Sequence, residues 1–440
     1  MKTPSRYTLF MPWFICSLGA LFYSYEYLLR IAPSVMMPNL ATFFHIHQEA
    51  LGNLDAFYYY IYAPLQLVVG ILMDRYGPRR LLTLACLCCV GGSFLFAATD
   101  LLWVAKIGRF LIGFGSAFAF VGVLKLATIW LPDRYFALFS GLATALGMIG
   151  AIIGNLFLTE LVKWVGWQET IFLAGSFGIL VALLLGIFVR DAQLERKKEQ
   201  APSSINLSAA IQNMKAILLT KQMWIVGLIG CFLYLSTSAF SETWGNQYLQ
   251  AAHGFTANQS ATSISLIFAG WVVGGPLAGW ISDTIRRRNL PLTFNAMIAA
   301  VLITAVLFVP GLSRFDVNLL LFLFGVFSGA QVIVFAIGKE LNIPAAAASA
   351  IAFTNMVVML SGVIFQPLIG KILDLSWSGK IVDGQQLLSI HDYQMALLCM
   401  PIALIASALL SHFFLKETYC RKGTKLAMAE SILPRGGVIE

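Results

Sequence analysis

The sequence predicts an all-α membrane protein with twelve transmembrane helices. Of its 440 residues, 59% are apolar and only 11% are charged. The mean hydropathy of +0.80 is far from soluble-domain averages, so lipid is the solvent for most side chains. Crossing a hydrocarbon core about 30 Å thick takes roughly 20 helical residues, and twelve apolar runs of that size can be counted. None alternates with a two-residue period. That favours helices, whose backbone hydrogen bonds close within each span, over a lipid-facing barrel.

In chain order the runs cover residues 9–31, 50–73, 81–98, 101–126, 135–160, 168–189, 223–247, 259–282, 291–310, 317–339, 345–371 and 393–415. Lys2 and Arg6 precede the first run, which continues past Glu26 and Arg30 with no small-residue cleavage site, so it reads as a span and not as a leader peptide. Gly113 and Gly115 in the fourth run, and Gly141, Gly147, Gly150 and Gly154 in the fifth, mark places where helices approach closely. After the sixth run comes the longest polar stretch, 190–222, with the charge run Glu195-Arg-Lys-Lys-Glu199. Its later part turns amphipathic, with Ile211, Met214, Ile217 and Leu218 at helical spacing, as for a short helix lying on a membrane surface. This punctuation divides the chain into an N-terminal six-helix half (1–190), a linker (191–222), a C-terminal half (223–416) and a polar tail (417–440).

Lys and Arg placement sets orientation. With both termini inside, the cytoplasmic segments hold nearly all the basic residues, among them Arg75, Arg79, Arg80, Arg134, Arg190, Arg196, Lys197, Lys198 and Arg286 to Arg288. The opposite side has little beyond Lys163, Arg314, Lys371 and Lys380. That asymmetry accounts for the net charge of +8 without a nucleic-acid partner. Six of the seven cysteines fall in spans and Cys420 in the tail, so none is placed for an extracellular disulfide, and Cys86-Leu-Cys88-Cys89 lacks a second zinc-spaced cluster. The five histidines are scattered. Neither a metal nor a cofactor is expected, and with no nucleophile set or phosphate loop visible the chain does not read as an enzyme.

Between the second and third runs stands Gly70-Ile-Leu-Met-Asp74-Arg75-Tyr-Gly77-Pro-Arg79-Arg80, and a degraded copy, Gly279-Trp-Ile-Ser-Asp283 followed by Arg286 to Arg288, recurs 209 residues later. This pair resembles the signature loop of the major facilitator superfamily, and its half-length repeat matches that family's two six-helix pseudo-repeats. The resemblance implies a secondary transporter working by alternating access. In it, Gly70, Asp74, Arg75, Gly77, Arg79 and Asp283 would gate, with Asp74 latching the cytoplasmic side against the facing half. Asn342 and Pro344, at the start of span 11, offer a helix N-terminus for that latch. Asp283 is followed by Thr284 in place of Arg, so its latch is expected to be weaker. The alternative for the arginines is that they only set topology. The family's export-associated Gly-Pro pair is absent from span 5, which argues against a drug antiporter.

Charges deep in a span cost roughly 2.5 to 3.5 kcal/mol each on insertion scales, so they are functional candidates by default. Tyr23, Glu26, Tyr27 and Arg30 share one face of span 1. They handle substrate or protons, or Glu26 and Arg30 simply neutralise each other for insertion. The surrounding run Tyr25-Glu26-Tyr27-Leu-Leu-Arg30-Ile-Ala-Pro33-Ser-Val-Met36 resembles the phagosomal nutrient (amino acid) transporters of intracellular bacteria, which implies uptake at a bacterial inner membrane. Arg109 binds an anionic group, tunes a carboxylate, or pairs structurally with Glu26. Lys125, roughly 24 Å along the same helix, snorkels to headgroups or contacts substrate. Glu242 and Trp244 stand near the outer end of span 7, where an interfacial aromatic belt accounts for Trp244 and Tyr248. Asp55 opens span 2 among Tyr58, Tyr59, Tyr60 and Tyr62. Gln331 and Asn355 add polar groups in spans 10 and 11, and Asn355 best matches midplane depth.

The expectation is therefore a monomer in the lipid bilayer that takes up a small polar solute. An amino acid or short peptide fits best, coupled to protons through Glu26, Asp55 or Glu242. Its rivals are an exporter of drugs or siderophores and a membrane solute sensor that keeps the transporter fold.

Overall fold

The computed structural model describes residues 6–190, 214–343, 346–382 and 385–421. Most of the linker, including Ile211, and the tail beyond residue 421 lie outside the described residues. So does Pro344.

Among the described residues, twelve long helices carry the chain. In the N-terminal half they are α1 (Arg6–Phe44), α2 (Gln48–Tyr76), α3 (Pro78–Ala98), α4 (Leu102–Trp130), α5 (Asp133–Val165) and α6 (Trp167–Phe188). The C-terminal half holds α7 (Lys221–His253), α8 (Ala257–Ile285), α9 (Asn289–Phe308), α10 (Arg314–Glu340), α11 (Ala347–Ser376) and α12 (Ile390–Phe414). All but α1 are among eleven helices long and apolar enough to cross a membrane. α1, at 39 residues, runs well past its expected end at residue 31 and holds Pro12, Pro33 and Pro38 within it. Prolines persist in such a helix because neighbours satisfy the backbone groups they free.

Local chemistry sets the ends. Gly77 takes φ 83° between α2 and α3, a left-handed turn that a side chain would resist, and Pro78 starts α3 where its missing N–H costs nothing. Reciprocal capping boxes start α8 (Thr256 with Gln259), α10 (Ser313 with Asp316) and α12 (Ser389 with Asp392). A two-stranded antiparallel hairpin, Ile381–Val382 with Gln385–Gln386, joins α11 to α12.

The halves repeat one packing plan. In the first, α1 packs on α5, α2 on α4, α3 on α4 and on α6; in the second, α7 packs on α11, α8 on α10, α9 on α10 and on α12. The break in α4 at residues 117–118 has its counterpart in the 3-10 turn Gly329–Val332 of α10. Between halves α2 lies along α11, α5 along α8, and α1 against α7.

The interhelical seam is tighter at one end. Along α2 and α11, Gly52 backs onto the Gln366 carbonyl and Gly362 onto the Tyr59 ring. Among the described residues, the hydrogen bond between these two helices nearest the arginine-bearing loops is Asn355 to Gln66, 3.0 Å. Beyond it, a Cβ on Gly70 would meet nothing within 4 Å. On the other flank, Asn258 bonds Glu160 and Lys163 near the far end of α5. Gly141 likewise has no neighbour within 4 Å and marks no helix contact, whereas Gly113, Gly115, Gly147 and Gly150 do. Residues 214–219 are helical, as the amphipathic pattern predicts, and Ile217 is buried with Met223 and Phe353.

Candidate solute-binding site

Arg30 is the centre of the site. Only 2% exposed, its guanidinium donates through Nη2 to both Glu26 oxygens at 3.0 and 3.2 Å, through Nε to the Tyr58 hydroxyl at 3.0 Å and through Nη1 to the Tyr234 hydroxyl at 3.0 Å. The Tyr58 hydroxyl in turn donates a hydrogen bond to Glu26 Oε2 at 2.9 Å. The guanidinium also lies 4.4 Å from the Tyr27 ring centre, 5.0 Å from Tyr62 and 5.2 Å from Tyr58, a cage that favours a delocalised cation. Tyr23 stands edge-on to Tyr27 at 5.1 Å. Because Tyr234 belongs to α7, the cluster joins both halves.

A second ion pair lies beside the first, and it corrects an expectation. Arg109 of α4 pairs with Asp55 of α2 and not with Glu26. The opposite half reaches the same carboxylate, since Thr243 Oγ1 donates to Asp55 Oδ2 at 2.7 Å. Arg109 Nη1 also donates to the Leu29 carbonyl at 3.1 Å. That carbonyl faces Pro33 four residues on, where proline has no N–H to offer, so Arg109 supplies the donor that α1 lacks.

Glu242, which its place in span 7 left open between the site and the outer gate, is fully buried. A π-helical segment, Ser236–Trp244, turns it inward, where Oε2 accepts the Tyr59 hydroxyl proton of the opposite half. Among the described residues its Oε1 has no partner. Trp244 and Tyr248 are also buried and form no aromatic belt: Trp244 donates to the Gln366 carbonyl at 3.2 Å, and Tyr248 to the Val306 carbonyl at 2.9 Å. The apolar run conceals this, because interfacial and interior aromatics look alike in a sequence. Gln331 sits in the 3-10 turn of α10, 3% exposed, and shares none of these bonds. Asn355 joins Gln66 across the halves, one step nearer the arginine-bearing end.

Tyr234, Thr243 and Gln66 escaped the sequence reading. The signal available was the polar run Ser236-Thr237-Ser238 in an otherwise apolar span, a hint that this stretch faces something polar.

The residues expected to gate adopt one arrangement. Asp74 pairs with Lys125 of its own half, and among the described residues it makes no bond to the facing half. Asn342 is turned to the Gly338 carbonyl at 2.8 Å instead. Arg79 Nε donates to the Gly186 carbonyl at 2.9 Å, and Arg75 lies over Tyr76. The copy in the second half has recovered a cation. Arg288 bonds Asp283 at 2.7 Å and Glu340 at 2.6 Å. Burial by itself would push the Arg288 proton off, but the Glu340 and Asp283 carboxylates outweigh it and hold the guanidinium above its ordinary range.

Known proteins agree with this architecture. The Major Facilitator Superfamily model matches residues 19–366. The probable sulfoacetate transporter SauU of Cupriavidus necator is 26% identical over 67% of this chain and 71% of its own length. The membrane sensor protein UhpC of Escherichia coli is 23% identical over 86% and 89%, and the D-galactonate transporter of Escherichia coli O6:H1 25% over 57% and 62%. Among solved structures, a bacterial homologue of the human lysosomal transporter Spinster, inward-facing and unoccupied, superposes with a TM-score of 0.73 at 14% identity, covering 93% of this chain and 97% of that one. Twelve helices in two repeated halves, a buried charged cluster shared between them and a family match spanning most of the sequence lead to one conclusion: the chain is a multi-pass membrane transporter of the Major Facilitator Superfamily.

Proposed function

We propose that the protein takes up a small organic solute bearing an anionic group, that Arg30 reads that group, and that protons drive the uptake. The observation that carries this reading is the position of Arg30 between the halves. A guanidinium offers five N–H donors in a planar fork, and one hydrogen on Nη1 remains beyond the bond to Tyr234. An arriving carboxylate, sulfonate or phosphate would compete with Glu26 and Tyr234 for the fork, loosening a contact that ties α1 to α7. Binding would then bias the two halves toward a new arrangement.

Relatives named for sulfoacetate and D-galactonate support an anion. The amino acid or peptide expected from span 1 and its resemblance to phagosomal nutrient transporters fits within the same chemistry. Its carboxylate would go to Arg30, and its ammonium to Glu26, which the anion displaces from the guanidinium. The buried cluster holds three carboxylates, Glu26, Asp55 and Glu242, against two guanidiniums. Among the described residues Glu242 is the one of these three acids with no cation within ion-pair distance, which makes it the group for a coupled proton. With the arginine-bearing loops cytoplasmic, the tight seam lies on the outer side. The path lies within one chain, which suits a monomer in a bacterial inner membrane.

The test is uptake into proteoliposomes from a labelled panel of amino acids, dipeptides, sugar acids and sulfonates, with and without an inward proton gradient. Gradient-driven accumulation of one anionic or zwitterionic class is expected, with at least a tenfold loss in Arg30→Lys, whose ammonium cannot fork. Normal transport by a folded Arg30→Ala protein would sink the assignment. The relative named as a membrane sensor favours a second outcome, in which the panel identifies a solute that binds and is not moved.

A further inference from the structure

α2 carries gating chemistry at both ends, and only one end belongs to the signature loop. At its other end the helix starts at Gln48 after His47, whose side chain makes no capping bond. The first backbone N–H groups of a helix need acceptors from outside it. Here they come from the other half of the protein: Asp374 of α11 accepts the Gln48 N–H through Oδ1 at 3.1 Å and the Glu49 N–H through Oδ2 at 2.8 Å.

Asp374 is poorly placed for its own helix. It stands in the last turn of α11, which holds no basic residue, at the negative end of that helix's macrodipole. The N-terminus of α2 is the positive end of another. The approach is backbone on backbone. A Cβ on Gly370 would lie 2.3 Å from the Gln48 carbonyl oxygen, and one on Gly52 2.3 Å from the Gln366 carbonyl oxygen. Beside them Gln48 Nε2 reaches Gln386 of the hairpin at 3.3 Å. Neither carboxylate bond survives if the halves part at this end, and the loss falls on α2 and α11 together.

We propose that Asp374 is the latch that holds this end of the transporter shut, by capping α2 from the opposite half. It is a positioning residue for alternating access, acting through the α2 backbone. It is the counterpart, at the other end of the same helix, of the role the family resemblance gives Asp74, and it holds whatever the solute is. Removing it lowers the occupancy of the state described here relative to the one open at this end by about tenfold, the size of a lost N-cap.

The experiment uses the full chain in nanodiscs with Cys88→Ser, Cys399→Ser and Cys420→Ser. Spin labels at Trp103→Cys with Leu375→Cys report the Asp374 end, and at Arg80→Cys with Ile343→Cys the opposite end. Asp374→Ala should lengthen the first distance and shorten the second, and hydrogen exchange should quicken at Gln48 and Glu49. Adding His47→Asp gives α2 a cap from its own N-cap position. The amides should regain protection while the distances stay shifted. If His47→Asp also restores the distances, Asp374 is only a helix cap and the proposal fails. It fails equally if Asp374→Ala leaves both distances unchanged, or lengthens both, as general loosening would. Asp374→Asn, which keeps one acceptor and the side-chain volume, gives the same reading at smaller amplitude if the alanine variant does not fold.

Discussion

Arg109→Met should be among the most damaging single substitutions, and its cost divides into two parts that can be restored separately. The first is electrostatic. Removing the guanidinium leaves the Asp55 carboxylate, 1% exposed, with only the Thr243 hydroxyl for company. Breaking one side of a buried ion pair costs about 3 to 5 kcal/mol. The second is the Leu29 carbonyl, which Pro33 cannot serve and Arg109 does. A buried acceptor left unmade costs about 1 to 3 kcal/mol. Together they amount to a fall in Tm on the order of 10 °C, measured by thermal unfolding in a mild detergent at fixed scan rate. Adding Asp55→Leu removes the stranded charge, and Thr243 still has the Ser238 carbonyl at 3.3 Å, so this double variant should regain the larger part. Adding Pro33→Ala then returns an N–H to Leu29 and should regain the rest. If Arg109→Met melts with the wild type, or if Asp55→Leu gives nothing back, the reasoning is wrong. Uptake by the triple variant settles whether the pair has work beyond structure: a stable protein without transport assigns it to the solute or the proton.

Three further variants have defined outcomes. Glu242→Gln keeps an oxygen for the Tyr59 hydroxyl and loses the site for a proton, so gradient-driven accumulation should disappear while solute exchange persists; unchanged accumulation would remove Glu242 from coupling. Gly113→Ala would place its Cβ 2.2 Å from the Tyr58 carbonyl oxygen, inside one half, and should destabilise by about 1 to 3 kcal/mol. Gly70→Ala meets nothing within 4 Å and should leave Tm unchanged while slowing transport, because only the alternate state brings α11 close. Equal melting losses in the two would count against that division.

The fold was legible because lipid imposes a length and a composition on every span, and the loop around Asp74 with its copy around Asp283 exposed the repeat. The charged face of span 1 was legible for a related reason: charge inside an apolar run has to be answered by something. What answered it was not. Glu26 and Asp55 are equally plausible partners for Arg109 in one dimension, and the choice depends on how α2 and α4 pack. Lys125 looked like a headgroup anchor because nothing in the sequence brings Asp74 to it. Trp244 looked interfacial because a span's polar end and its buried, irregular part share a composition. The missing N–H of Pro33 was in plain view, but the orphaned carbonyl it leaves at Leu29 went unread.

The π-helical segment Ser236–Trp244 carries a consequence for ancestry. Bonding from i to i+5 accommodates an extra residue in a helix that continues regularly on either side. Removing one residue from it would return the segment to ordinary α-helix and leave the flanking turns in place, while residues inside it turn by about 100°, taking Glu242 away from Tyr59 and Thr243 away from Asp55. The acid is thus inherited through register as much as through identity. A chain one residue shorter in this segment would keep the glutamate in its sequence and lose it from the buried cluster, with no substitution at all.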